Sequence, residues 1–169
     1  KSFPLSAEAL GNARANESIE VRPEITAALT AIRFTEGQWV EKGTVLVELQ
    51  NAQQLAGLAA AKARLVESTS LLRRSEELFK TKAVSESQME QLRAKQESDL
   101  GSVNAEQSRL DQTVIRAPFA GRIGLRQVSV GAVLDTDTVI TTLDDTSAIK
   151  LDFDVPEIFL ANLAPGLEV

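Results

Sequence analysis

Two similar β-rich segments flank a helical stretch over 51–112, and that interruption constrains the fold more than any other feature. The first segment runs from Glu24-Ile25-Thr26 through Ile32, Glu36-Gly37 and Lys42-Gly43 to Val45-Leu46-Val47-Glu48-Leu49. The second runs from Ile115-Arg116-Ala117-Pro118-Phe119-Ala120-Gly121 through Ile123, Val130-Gly131 and Val133-Leu134 to Val139-Ile140-Thr141-Thr142-Leu143. Laid over one another with one residue of slippage, Pro23 meets Pro118, Gly37 meets Gly131 and Leu49 meets Leu143. Neither half is long enough to bury a core alone, so the two are expected to close as one small sandwich. The residues between them then project from it.

Composition narrows the chemistry. The chain has no cysteine and no histidine, so the usual zinc, copper and iron ligand sets cannot form. Ser-His and Cys-His nucleophilic catalysis are excluded on the same ground. Asp144-Asp145 follows a strand in a polar stretch and reads as a turn rather than a catalytic pair. Net charge is −6 with no block of Lys or Arg, which argues against nucleic acid as a partner. Only 4% of residues are aromatic, thin for a single thick core. No apolar run reaches the roughly 18 residues that span a bilayer. No catalytic residue, cofactor site or metal site is expected.

Residues 1 to 22 hold two weakly alternating stretches around Gly11-Asn12, read as strands. The pattern changes at Asn51. Asn51 with Gln54 resembles a capping box, and 52–80 contains no proline and one glycine. Leu58, Leu65, Leu72 and Phe79 recur every seventh residue, with Ala61, Ser68 and Ser75 between them, which is a heptad seam. Arg73–Glu77 and Glu76–Lys80 are spaced for ion pairing on the outer faces. Ser85-Glu86-Ser87-Gln88 caps a second helix to about Gln112, with Met89, Leu92, Leu100, Val103 and Leu110 along one side. Two helices of about 43 and 40 Å with a short connection predict an antiparallel hairpin. Leu151 to Val155 alternates as a strand, and Pro156-Glu157 opens a helical pattern that breaks off at Val169. The chain is therefore expected to lack sequence at both ends.

Four stretches then carry a resemblance. They are Ala15-Asn16-Glu17-Ser18-Ile19-Glu20-Val21-Arg22-Pro23, Phe34-Thr35-Glu36-Gly37-Gln38-Trp39-Val40-Glu41-Lys42-Gly43, Val114-Ile115-Arg116-Ala117-Pro118-Phe119-Ala120-Gly121 and Phe153-Asp154-Val155-Pro156-Glu157. In this order they resemble the periplasmic adaptors, or membrane fusion proteins, of tripartite efflux pumps that serve resistance-nodulation-division transporters. The resemblance implies an elongated α+β fold: a lipoyl-like β-sandwich split by a long antiparallel α-helical hairpin, plus part of a β-barrel domain. It places 1–19 in N-terminal strands of the barrel or membrane-proximal region, and 20–50 with 113–146 in the lipoyl-like domain. Residues 51–112 become the hairpin and 147–169 the start of the barrel.

The resemblance further implies a non-enzymatic adaptor that links an inner-membrane transporter to an outer-membrane channel for efflux of drugs or other small molecules. The protein would sit in the periplasm, held to the inner membrane through an N-terminal segment not contained here, and self-associate as a hexamer in the assembled pump. Arg74, Leu78 and Ser85 match the family's tip pattern, which engages the outer-membrane channel. From spacing alone the three read as a solvated helix charge, a seam flank and an N-cap; the resemblance turns the reading to docking. Lys82 is read as a surface charge, with contact to the channel as the alternative, and Trp39 as either an interface or a partial core residue. Two alternatives stand beside this one: an adaptor of an ATP-driven exporter, and a biotinyl or lipoyl carrier domain. Against the carrier, no modifiable Lys motif occurs at the junction of the halves.

Overall fold

The computed structural model describes residues 11–154. Along the chain lie β1 (Gly11–Val21), β2 (Ala27–Ile32), β3 (Trp39–Val40), β4 (Val45–Leu49), α1 (Ala52–Lys80) and α2 (Glu86–Asp111). They are followed by β5 (Val114–Arg116), β6 (Gly121–Ile123), β7 (Val133–Leu134) and β8 (Thr141–Phe153). One sheet has the order β1-β8-β6-β3 and the other β5-β4-β2-β7, so each interleaves strands of both halves. The α+β architecture with a split sandwich is as expected. Of the two stretches around Gly11-Asn12, the second is β1; the first lies outside the described residues, as does the helical pattern from Pro156.

The repeat read in the sequence is a repeat of structure. Gly37 and Gly131 occupy equivalent turns with φ of 74° and 91°, a left-handed conformation that costs glycine little. Each turn leads into a two-residue strand whose first side chain is exposed and whose second is buried: Trp39 and Val40, Val133 and Leu134. Leu46 and Leu49 match Ile140 and Leu143, and all four are almost completely buried. The core divides into two clusters, one around Val21, Val40, Leu46, Ile123 and Leu143, the other around Leu29, Val47, Leu49, Leu134 and Ile140. Both mix residues of the two halves. Each such side chain contributes about 2 kcal/mol on burial, and neither half holds a complete set. Phe34 and Phe119 only flank the clusters, so few aromatics suffice.

The hairpin leaves the sandwich between two hydrogen-bonded neighbours. β4 and β5 run antiparallel with Glu48 opposite Val114, and Leu49 N–H donates to the Thr113 carbonyl at 2.8 Å. Thr113 is fully buried and its hydroxyl donates to the Leu110 carbonyl at 2.6 Å. The chain thus departs and returns side by side, and the helices it feeds run antiparallel. α1 has 29 residues and α2 has 26, about 43 and 39 Å of rise.

Inward positions on α1 are Gln54, Leu58, Ala61, Leu65, Ser68, Leu72 and Ser75, in unbroken four-three alternation. On α2 they are Met89, Leu92, Gln96, Asp99, Val103, Glu106 and Leu110. Two expectations are corrected here. Phe79 is 43% exposed, because the seam closes one layer earlier, and Leu100 is 48% exposed while its neighbour Asp99 is buried. The alternation from Leu92 through Gln96 and on to Val103 selects position 99, whatever residue stands there. The Asp99 carboxylate is held by the Lys95 ammonium at 2.6 Å and faces the Ser68 hydroxyl, with Arg64 nearby.

Three further expectations fail locally. Asn51 occupies the N-cap of α1 but its side chain makes no capping bond; its ψ of 11° departs from the extended backbone that aims a cap, such as the 156° of Ser85. Neither Arg73–Glu77 nor Glu76–Lys80 is among the ion pairs of the described residues, as exposed pairs gain little over hydration. Asp144 and Asp145 are not in a turn. They lie within β8 where its pairing with β1 slips between Ala15 and Glu17, and Ser18 and Asn16 donate to their carboxylates at 2.5 and 2.9 Å. Hydrogen bonds from Ser147 and Asn16 lower the pKa of Asp145 below the ordinary carboxylate value.

A Cβ on Gly121 would stand 2.6 Å from the Asp144 carbonyl oxygen, whereas one on Gly101 meets nothing within 4 Å. Gly121→Ala should therefore destabilise by about 1–3 kcal/mol through strand displacement, while Gly101→Ala should stabilise by about 0.5–1 kcal/mol through helix propensity; urea unfolding of each variant measures both. The Lys95 hydrogen bond lowers the pKa of Asp99 in the folded chain. Its stabilisation is thus present above the unfolded-state pKa, about 3.9, and is lost as pH falls through the lower folded value. Asp99→Leu should melt no lower than the native chain at pH 7, and should lose less of its melting temperature between pH 6 and pH 3.

Candidate functional site

The far end of the hairpin is the candidate site, built by the way α1 stops. Lys80 is its last residue and Thr81 its C-cap. Lys82 N–H donates to the Phe79 carbonyl at 2.9 Å, and Ala83 N–H to the Leu78 carbonyl at 3.1 Å. These two bonds are the Schellman arrangement, which reverses the chain and satisfies the last carbonyls. The Thr81 hydroxyl adds a third donor to the Leu78 carbonyl at 2.8 Å. The residue that turns the chain is Lys82, with φ of 58°. Three residues later Ser85 opens α2, its hydroxyl accepting from Gln88 N–H at 3.3 Å. Met89, 2% exposed, closes the seam beneath this turn.

The three tip residues expected from the sequence lie as follows. Arg74 and Leu78 are one helical turn apart on one face of α1, and Leu71 shares that face three residues below Arg74. Leu78 is 50% exposed and Leu71 39%, so the face is an open ridge with a cation between two apolar side chains. Arg74 also donates weakly to the Ser70 carbonyl, at 3.4 Å. Ser85 lies across the turn on α2, exposed yet committed to capping. Phe79 adds exposed aromatic surface beside Leu78. The ridge can make apolar contact and donate hydrogen bonds through a planar guanidinium. Leu71 was legible from its spacing to Leu78, and Phe79 was misassigned to the seam.

Elsewhere the surface offers little chemistry. A groove at the hairpin root is bordered by Arg22, Leu55, Asp111 and Arg116. Trp39 is 47% exposed and its indole N–H donates to Glu41 at 3.3 Å, an exposed rather than a core position. Among the described residues no group of three or more acidic side chains could hold a metal ion, and no helix is long and apolar enough to cross a membrane.

Residues 17–145, which span both halves of the sandwich and the whole hairpin, match the family of the CzcB-like, barrel-sandwich hybrid domain. The chain belongs to that family. The multidrug resistance protein MdtA of Escherichia coli is 31% identical to this CzcB-like chain over 179 residues, covering 96% of the chain and 43% of MdtA. An uncharacterized protein of Haemophilus influenzae is 30% identical over 159 residues, covering 94% of the chain and 42% of that protein. The chain thus spans less than half the length of these relatives. A solved MacA–MexA chimera, containing the Pseudomonas aeruginosa MexA α-hairpin domain, superposes with a TM-score of 0.82 at 23% identity. The match covers 89% of this chain and 55% of the chimera, and at that identity it is a likeness of fold. The fold of a sandwich split by a hairpin is therefore shared with that chimera.

Proposed function

We propose that this chain is the sandwich-and-hairpin portion of a periplasmic adaptor that joins an inner-membrane transporter to an outer-membrane channel. Its cargo would be drugs or other small molecules. The observation that carries the reading is a stiff hairpin rooted between paired strands, in a chain related to a multidrug resistance protein along nearly its whole length. A rod about 40 Å long is suited to bridging a gap rather than to catalysis, and the role proposed is mechanical. The lipoyl-like base comprises 20–50 and 113–146, the reach 51–112. Residues 1–19 and 147–169 lead into the barrel and membrane-proximal region. The transporter proposed is of the proton-driven resistance-nodulation-division type. Bases packed side by side in a hexamer would align the hairpins as a conduit, with the adaptor tethered to the inner membrane through a preceding N-terminal segment.

In this reading Arg74, Leu78 and Ser85 form the contact with the outer-membrane channel. The exposed ridge around Arg74 supports it, since nothing in the described chain covers Leu71 or Leu78. Arg74→Glu should weaken channel binding about tenfold, the equivalent of ~1.4 kcal/mol, with helix content unchanged. Ser85→Asp retains a capping oxygen and should weaken binding by placing a charge at the contact. Drug resistance in a complemented deletion strain and cross-linking of the tip to the channel read both variants. Native resistance and native cross-linking in both would refute the docking assignment.

A further inference from the structure

Every left-handed residue in the described chain is glycine except one. Gly37, Gly43 and Gly131 take φ of 74°, 85° and 91°, and Lys82 takes 58°. At a helix end of this hydrogen-bonding pattern glycine is the favoured residue, because a side chain there crowds its own backbone. The chain obeys that rule in the sandwich and breaks it at the outermost turn of the hairpin. Strain retained at one exposed position points to a use for the side chain that causes it.

The chemistry of that side chain states the use. Lys82 is exposed, and among the described residues its ammonium has no acidic partner within 4 Å. Its backbone is fixed on both sides by the N–H bonds to Phe79 and Leu78, so the cation stands on a rigid support rather than a loose loop. Glu76, Glu77, Glu86 and Glu90 balance the basic side chains around the tip. No strong net field therefore reaches outward, and recognition falls to a contact at short range.

We propose that the Lys82 ammonium is a contact group of the hairpin tip, and that it pairs with an acidic side chain on the partner protein the tip meets. The assignment rests on the docking role proposed above and adds to it a second cation, one that reads charge on the partner's rim. Glycine would improve the turn in either case; it would weaken binding only where the lysine is kept for contact.

The test separates those two roles. The full-length adaptor carrying Lys82→Gly, Lys82→Asn, Lys82→Arg or Arg74→Glu is bound to the outer-membrane channel of the same bacterium, purified in detergent, at 50 and 300 mM salt. Lys82→Gly should melt higher than the native protein yet bind about fivefold more weakly at low salt, with a flatter salt dependence. Lys82→Asn, which tolerates the left-handed backbone without a charge, should bind equally weakly, and Lys82→Arg should remain within about twofold of native. Native or tighter binding by Lys82→Gly would overturn the contact and leave Lys82 as a terminator. If Arg74→Glu alone weakens binding, docking by the tip stands and the Lys82 contact falls. Unchanged binding in all variants, or no binding by the native protein, sinks the docking reading and this inference together.

Discussion

The antiparallel pairing of β4 with β5 is the constraint on which the rest of the molecule depends. These short strands belong to different halves of the sandwich and are far apart in the chain, yet Glu48 lies opposite Val114. Because they are neighbours, the intervening residues must go out and come back from one spot. Buried Thr113 and its bonds to Leu49 and Leu110 lock both exits to the core. Any long helical insertion at this place becomes a hairpin, and its direction is set before its seam contributes.

That division of labour explains the thin interior of the hairpin. With both roots clamped, the helices need no strong seam to find each other, and the seam tolerates Gln96, Ser68 and buried Asp99 in its middle. Small residues such as Ala61 and Ser68 opposite longer ones keep the two helices close. The free side chains of the outer faces are then available for contacts, Leu78 and Phe79 at the tip among them. The sandwich is anchored by burial, the rod holds an ion-paired polar layer at Asp99, and the tip presents Leu78 and Phe79 to solvent.

Much of this was legible in the sequence, for identifiable reasons. The repeat of proline, glycine and leucine positions revealed the two halves because both halves solve the same turn and core problem. The limits of α1 were visible because turn glycines stop at Gly43 and proline-free heptads begin after Asn51. What escaped depended on contacts distant in the chain or on backbone angles. Asp144 and Asp145 read as a turn because their partners, Ser18 and Asn16, lie on the first strand. Asp99 was passed over for Leu100 because an apolar residue one step away made the better local pattern. At the tip, the pattern pointed to Arg74, Leu78 and Ser85 as the proposed contact, but nothing local marked Lys82 as left-handed, since only glycine or asparagine advertises that conformation.

The central claim is that a small split sandwich carries a stiff, outward rod. The chain has no cysteine, so paired labels can be placed without background. Spin labels on Thr30→Cys in the sandwich and Ser87→Cys at the start of α2, both exposed sites, measure the reach by pulsed electron resonance. A single narrow distance distribution at about 40 Å or longer is predicted from the helix rise. A distribution centred at about 20 Å or less, the radius of a compact domain of this length, would show the helices folded over the base and contradict the account.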